Sequence, residues 1–536
     1  MAVVIGATFS CVAMAQKSPS AQDCERLAKL RLPKIQITSA RMVAAGGFTP
    51  PKNLSPWLRG EAGFFKKVPP FCRVKAVARP SRNSDITIEV WLPASGWNGR
   101  FQGQGNGGFA GEIDYHLMGM AVGDGYATAG TDTGHAASGT DAKWALGHPE
   151  KIVDFGYRAI HEMTQAGKAA TQAFYGQSPR RAYFASCSNG GRQALMEAQR
   201  FPADYDGIMA GAPANFWTHL LTSALSGMRA STLNPASYIP ASKLPAIAAA
   251  VNASCDARDD VTDGILNDPR QCHFDPASLL CKEGDSDKCL TGAQAKTLQE
   301  LYEGAHDSQG REIYPGLLPG AELGEGGWKT WITGDKPGDS LMFDFGNSYF
   351  ANMVYDSAGW DYKAANLDQA VKAADEKTAR ALNATDPNLS RFRARGGKLI
   401  LYHGWNDPAI SPLNSINYYQ QVVGAMGQGS VDSFVRLYMA PGMQHCFSGP
   451  GADSFGEPGT TVPKDPGHDM QLALERWVEK SVAPGAIIAT KHVNDEDPAK
   501  GVKMTRPLCP YPEEANYKGK GDPKQASSFE CVAGAK

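Results

Sequence analysis

The 536-residue sequence predicts an α/β fold: a largely parallel sheet with helices packed on it, interrupted by one large insertion. Three stretches carry that expectation. Ala182–Ala185 is a short apolar run that meets a serine- and glycine-rich turn, and from Arg192 to Phe201 the apolar residues then follow helical spacing. Lys398–Tyr402 is a second apolar run, and it delivers Asp407 just past its C-terminal end. Between these, residues 214–385 lose regular patterning and read as loop-rich, with helical pieces at Lys243–Ala253 and Gly292–Glu303.

Length and composition narrow the class. The chain exceeds the roughly 250–300 residues at which one core stops growing, so two domains are expected. Hydrophobic residues make up 42%, enough for sizeable cores, and 58 glycines with 35 prolines indicate many connections. With a net charge of −2 and no block of like charge, nothing in the sequence suggests nucleic acid or an acidic membrane surface as a partner.

The N-terminus is a short apolar run ending in Ala13-Met14-Ala15, a small-x-small cleavage pattern without a preceding Lys or Arg. Residues 1–15 are therefore read as a signal peptide, which implies a secreted or periplasmic protein. Removing the leader removes Cys11 and leaves ten of the eleven cysteines. An even number behind a leader points to disulfides in an oxidising compartment. Neighbours in sequence suggest Cys255 with Cys272, Cys281 with Cys289 and Cys509 with Cys531; Cys24 with Cys72 is next nearest. Cys187 and Cys446 are left over, although spacing alone does not fix the connectivity. Zinc is disfavoured, because no C-x-x-C or tight Cys/His cluster occurs.

In chain order, residues 20–70 are mixed and proline-rich. Val74–Ala78 and Ile86–Leu92 alternate as strands do, and Phe101–Gly103 starts another. That strand runs into Gly105–Gly111, whose glycines let backbone N–H groups approach a ligand. Gly107 and Gly108 are candidates for one half of an oxyanion hole. Tyr126–Thr131 reads as a buried strand; Asp132 and His135 after it are read as structural. Residues 151–175 have helical apolar spacing.

The turn after Ala182–Ala185 is Ser186-Cys187-Ser188-Asn189-Gly190. Strand, serine turn and helix are the setting of a nucleophile elbow, in which small residues two before and two after the serine let strand and helix close up. Ser188 is the candidate nucleophile, and the N–H of Asn189 is the other oxyanion donor, at a helix N-terminus. Asp407 follows the next core strand, where sheets of this type place their active residues. Ser433–Met439 is the strand after that, and its loop carries His445. A serine in a glycine-rich turn is by itself an ordinary turn residue. The order Ser188, Asp407, His445, each after a predicted strand, assigns a triad on an α/β-hydrolase core. Residues 16–213 and 386–536 form that core, closed by a helix at 467–482 and an irregular tail with Cys509 and Cys531. Residues 214–385 form a large inserted lid domain.

Two features of the insertion concern ligands. Asp256, Asp259 and Asp263 share a short glycine-containing loop, a donor set suited to a hard cation such as calcium. So dense an aromatic stretch is more often core than pocket, but in a lid Trp331, Phe345, Tyr349 and Phe350 are candidates to stack on an aromatic substrate. No arginine falls between Arg311 and Arg380, so no clamp for a substrate carboxylate is evident.

Cys187-Ser188, Asp407 and His445-Cys446 together resemble the C-S…D…H-C signature of the tannase and feruloyl esterase family, and the resemblance spans nearly the whole mature chain. It implies an α/β-hydrolase core with a lid, a disulfide between Cys187 and Cys446, and a structural Ca²⁺ in the lid. The calcium ligands it implies are Asp256, Asp259 and Asp263 with the backbone carbonyls of Val261 and Ile265. Ser186 departs from the pattern, since the family usually has glycine there. The expected activity is hydrolysis of aromatic esters of hydroxycinnamate or gallate type through an acyl-enzyme, with no cofactor in the chemistry. Terephthalate monoesters are an alternative substrate, because enzymes acting on them are related to this family. A non-catalytic phenolic- or carbohydrate-binding protein on the same fold is a further alternative. The partner expected is a small aromatic ester, with neither nucleic acid nor membrane.

Overall fold

The computed structural model describes residues 20–52, 54–55, 63–495 and 497–534. The expected signal peptide lies outside the described residues. Twelve strands are named here in chain order: β1 Arg31–Leu32, β2 Ile35–Val43, β3 Phe71–Ala78, β4 Ile86–Pro93, β5 Arg100–Gln104, β6 Ala127–Thr131, β7 Arg181–Cys187, β8 Gly207–Gly211, β9 Gly304–His306, β10 Glu312–Pro315, β11 Lys398–Gly404 and β12 Val435–Ala440.

Ten of these form one sheet in the order β1-β2-β3-β4-β6-β5-β7-β8-β11-β12. β1 to β4 are antiparallel neighbours and β4 is antiparallel to β6; from β6 onward every pairing is parallel. The parallel strands read as continuous apolar runs because both their faces are covered. Phe184, Ile208, Leu399, Leu401 and Leu437 face a core shared with the helices Ala159–Tyr175 and Asn189–Arg200. Tyr183, Met209, Ile400, Tyr402 and Tyr438 face the helix Met470–Lys480 through Leu474 and Trp477. This is the expected α/β-hydrolase architecture.

Between β8 and β11 the chain leaves the sheet, and here the structure corrects the loop-rich reading. A 16-residue helix, Trp217–Thr232, follows β8 at once, and further helices occupy Leu341–Tyr349 and Leu367–Ala374. Thr, Ser and Gly dilute the periodicity of Trp217–Thr232, so its stability comes from packing rather than propensity. It crosses Leu341–Tyr349 at close range. A Cβ on Gly227 would lie 2.7 Å from the Met342 sulfur, and one on Gly346 would lie 2.9 Å from the Met228 sulfur. The insertion has a hydrophobic core of its own, containing Ile247, Leu298 and Trp328.

Two other stretches differ from expectation. Residues 35–43, unassigned from sequence, form the nine-residue strand β2, which pairs with β3 near the sheet edge. The tail is not an irregular strap. Ile487–His492 pairs with Val502–Leu508, and Glu513–Tyr517 pairs with Phe529–Ala533. Charged residues such as Lys491, Lys503, Arg506, Glu513, Glu514 and Glu530 interrupt the apolar residues of these ribbons and mask the strand pattern in the sequence.

All five expected disulfides are present: Cys24–Cys72, Cys187–Cys446, Cys255–Cys272, Cys281–Cys289 and Cys509–Cys531. No helix among the described residues is long and apolar enough to cross a membrane.

Candidate active site

β7 ends at Cys187 and the next helix begins at Asn189, so Ser188 makes the whole turn. Its backbone sits at φ 66° and ψ −126°, a region that L residues rarely adopt. Three hydrogen bonds hold it there. The Ser188 N–H donates to Gly211 O (2.9 Å), and its carbonyl accepts from Arg192 N and Ala214 N, both at 3.1 Å. The strain turns the side chain out of the sheet end toward His445.

His445 Nε2 lies 2.9 Å from Ser188 Oγ, and His445 Nδ1 lies 2.7 Å from Asp407 Oδ2. The carboxylate of Asp407 is completely buried. Its Oδ1 accepts from the N–H groups of Ala409 (2.8 Å) and Ile410 (3.0 Å). Its Oδ2 is also 3.0 Å from His403 Nε2. Burial alone would push the Asp407 carboxyl up. The His445 charge and the hydrogen bonds from His403 and His445 outweigh that, holding it below the usual carboxylate range.

The Cys187–Cys446 bridge joins the elbow to the histidine loop across 259 residues, with the Cα atoms 5.9 Å apart. Because each cysteine neighbours one member of the Ser188–His445 pair, the bridge fixes that separation covalently. Gln444 anchors the loop a second time, donating from Nε2 to Leu323 O in the insertion at 2.5 Å.

The glycine loop lies beside the elbow. Asn106 fastens it: its N–H donates to Gln193 Oε1 (3.0 Å), its Nδ2 donates to Glu112 O and Thr131 O, and its carbonyl accepts from Asn189 Nδ2 (3.2 Å). Gly108 and Asn189 line the same cleft as Ser188 and His445, whereas Gly107 does not. Among the described residues, the backbone N–H groups of Asn189 and Gly108 have no protein acceptor.

That cleft measures about 960 Å³ counted to its open mouth, and its walls are mostly apolar. Trp331 and Phe345 both line it. Their rings are stacked at 9° with centroids 6.1 Å apart, and Trp331 meets the His445 ring edge-on at 5.0 Å. Tyr349 and Phe350, also predicted from sequence, do not reach it. Both are fully buried, and Tyr349 Oη is bonded to Thr378 Oγ1. They are core residues; aromatic density alone could not separate wall from core.

His135 is structural as expected. Its ring stacks on Trp144 with centroids 3.7 Å apart, and burial holds its pKa down to about 3. The acidic loop folds back on its own backbone. Asp256 Oδ1 accepts from Gly264 N (2.9 Å), Asp259 Oδ1 accepts from Val261 N (3.2 Å), and Asp263 Oδ2 pairs with Arg506 at 2.7 Å. The oxygen-only donor set suits a hard cation. No three acidic, histidine or cysteine side chains among the described residues converge tightly enough to hold an ion on their own.

Five residues of the site went unread in the sequence. Asn106 was hidden inside a glycine run and His403 inside an apolar strand. Trp217 and Tyr314 line the cleft from elements not predicted as site-bearing. Arg192, counted only as part of a helix, is fully buried behind the elbow. It donates to Asn189 Oδ1 (2.9 Å) and to the carbonyls of Gly156 (2.7 Å) and Phe155 (3.2 Å), and burial lowers its pKa to about 9.

Known proteins place this geometry. The family model "Tannase and feruloyl esterase" matches residues 72–532. An uncharacterized esterase of Xanthomonas campestris is 43% identical, covering 95% of this chain and 91% of its own. A probable feruloyl esterase B of Aspergillus clavatus is 32% identical, covering 97% of each. Among solved structures, feruloyl esterase B from Aspergillus oryzae superposes with a TM-score of 0.86 at 30% identity, over 96% of this chain and 100% of that one. Tannin acyl hydrolase from Aspergillus niger superposes with a TM-score of 0.74 at 25% identity, over 97% and 96%. These matches decide for an enzyme over a binding protein on the same fold: the chain belongs to the tannase and feruloyl esterase family of carboxylic ester hydrolases.

Proposed function

We propose that this protein is a secreted serine esterase that hydrolyses aromatic esters of hydroxycinnamate or gallate type through an acyl-enzyme. The observation that carries the reading is the unbroken chain from Ser188 Oγ through His445 to a buried, four-fold bonded Asp407, set in an aromatic-walled cleft. Ser188 Oγ attacks the ester carbonyl while His445 Nε2 takes its proton. His445 then returns the proton to the leaving alcohol, and a water repeats the sequence to release the acid. Asp407 keeps the imidazole in the tautomer that presents Nε2 and stabilises its charged form. The N–H groups of Asn189 and Gly108 receive the oxyanion; loss of one such donor typically costs about 2.7–4 kcal/mol. Five disulfides support an oxidising compartment, and a leader at residues 1–15 is the route we assign to it.

We assign the loop 256–265 to a structural Ca²⁺, held by Asp256, Asp259 and Asp263 with the carbonyls of Val261 and Ile265. Its support is the oxygen-only donor set in a loop bracketed by Cys255–Cys272. Burial also pushes the Asp259 carboxyl up to about 6, a shift that a cation would reverse.

The test is a substrate panel with one variant. Methyl ferulate and methyl gallate are expected to turn over faster than an aliphatic p-nitrophenyl ester, with a peptide inert. Ser188→Ala is expected to abolish both turnover and covalent labelling by a fluorophosphonate. Activity confined to the peptide, or labelling that persists in Ser188→Ala, refutes the proposal.

A further inference from the structure

Behind the elbow lies a positive charge that no carboxylate balances. Arg192 is fully buried, and among the described residues no acidic group acts on it. Buried charges are ordinarily paired, because an isolated one gives up its hydration without a counter-charge in return. The partners of Arg192 are neutral oxygens instead. Its Nε donates to Asn189 Oδ1 (2.9 Å), Nη1 to Gly156 O (2.7 Å) and Leu382 O (3.3 Å), and Nη2 to Phe155 O (3.2 Å). The rings of Phe155 and Trp217 lie 4.9 and 5.1 Å from the guanidinium carbon. With a pKa of about 9 the group is still a cation at neutral pH.

Packing accounts for part of this environment. Filling the space beside two rings needs no charge, and three backbone carbonyls need only N–H donors. Packing does not account for Nε, which is turned to the residue that follows the nucleophile. The next residue of the helix, Gln193, holds the other half of the oxyanion hole. Its Oε1 accepts from Asn106 N (3.0 Å), and its Nε2 donates to Asn106 Oδ1 (3.2 Å). Asn189 Nδ2 donates to Asn106 O (3.2 Å) and closes the frame. Arg192, Asn189, Asn106 and Gln193 therefore tie the elbow to the glycine loop just before Gly108. The backbone N–H of Arg192 also donates to Ser188 O at 3.1 Å. Oxyanion donors lower a barrier only when they are fixed before the charge arrives. The guanidinium itself finds an opposite charge only during the reaction, when the substrate oxygen becomes an oxyanion at the Asn189 and Gly108 N–H groups. A fixed cation in a water-excluded interior favours that state over the neutral ester.

We propose that Arg192 is a positioning residue for acyl transfer: it locks Asn189, and through it both halves of the oxyanion hole, and its unpaired charge favours the oxyanion. It acts without lining the cleft. The proposal rests on Ser188 being the esterase nucleophile, and it adds a group that never touches the substrate.

Two variants separate the parts. Arg192→Lys keeps the charge and loses the fork, whereas Arg192→Gln keeps one donor for Asn189 and loses the charge. On methyl ferulate, kcat is expected to fall about tenfold in Arg192→Lys and about a hundredfold in Arg192→Gln. The Ki of ferulamide, an uncharged analogue of the ground state, is expected to stay within about twofold of the parent's in both. An arylboronic acid, whose boron bonds to Ser188 Oγ and becomes a tetrahedral anion, is expected to bind more weakly by the same factors as kcat/KM. A role in packing alone would not single out the anion. Unchanged boronate affinity, a loss of ferulamide binding that matches the loss of rate, or Arg192→Gln as active as Arg192→Lys would each overturn the proposal. Failure of both variants to fold would assign Arg192 to the core alone and overturn it as well. A parent that neither hydrolyses methyl ferulate nor binds the boronate would instead strike the esterase reading on which the proposal rests.

Discussion

Gly190→Ala isolates the steric logic of the elbow. A Cβ on Gly190 would lie 1.9 Å from Ser186 Oγ and 2.6 Å from Ser186 Cβ, with Asn106 O next at 3.4 Å. Ser186 is buried in β7 and cannot swing clear, so the helix start must move away from the strand. Overpacking of this kind costs about 1–3 kcal/mol. Ser188 lies between the two residues, and a displacement of order 1 Å at a reacting atom costs roughly a hundredfold in rate. Gly190→Ala alone is therefore expected to lose about 1–3 kcal/mol in urea unfolding and most of its kcat on methyl ferulate. Ser186→Gly removes both close contacts and leaves only the ordinary one to Asn106. Alone it costs about 0.5–1 kcal/mol, the usual penalty for glycine in a strand. The double variant should cost little more than Ser186→Gly alone, a favourable coupling of about 1–3 kcal/mol, and should recover most of the rate. Strictly additive losses in the double variant, or a Gly190→Ala protein with parental rate and stability, would refute the claim that Ser186 and Gly190 share one packing site.

Two further outcomes follow from the geometry. Replacing Cys187 and Cys446 together with alanine opens a loop of 259 residues, worth up to about 5 kcal/mol in the loop-closure model. The fall in Tm should be accompanied by a drop in kcat larger than the rise in KM, since the bridge positions Ser188 against His445; unchanged kcat would show that Gln444 and the backbone suffice. In chelator the raised carboxyl of Asp259 makes the folded state bind more protons than the unfolded chain between about pH 4 and about pH 6. Its contribution to stability is therefore present below that window and lost as pH rises through it. Excess Ca²⁺ should cancel this loss and raise Tm at pH 7. Asp259→Asn should show neither the pH loss nor the full calcium response, and a parent Tm indifferent to Ca²⁺ would sink the cation assignment.

The local chemistry of this protein is written along the chain. Apolar runs at Ala182–Ala185 and Lys398–Tyr402 declare buried parallel strands because both faces must be covered, and the small residues around Ser188 declare the elbow because only they let strand and helix meet. The order Ser188, Asp407, His445 is likewise readable, since each follows its own strand and the carboxyl ends of parallel strands converge. Tertiary structure decided what depends on distant segments meeting. The second imidazole on Asp407, from His403, looks from sequence like any residue of an apolar strand. The helix Trp217–Thr232 exists because Gly227 and Gly346 let it lie against a partner more than a hundred positions away, not because of its own propensity. Aromatic residues in one stretch divided between cleft wall, Trp331 and Phe345, and core, Tyr349 and Phe350, according to how their separate segments packed against the rest of the fold. The unpartnered hydroxyl of Tyr314 belongs wholly to that second category, because being unpartnered is a property of everything packed around an atom and never of the residue alone.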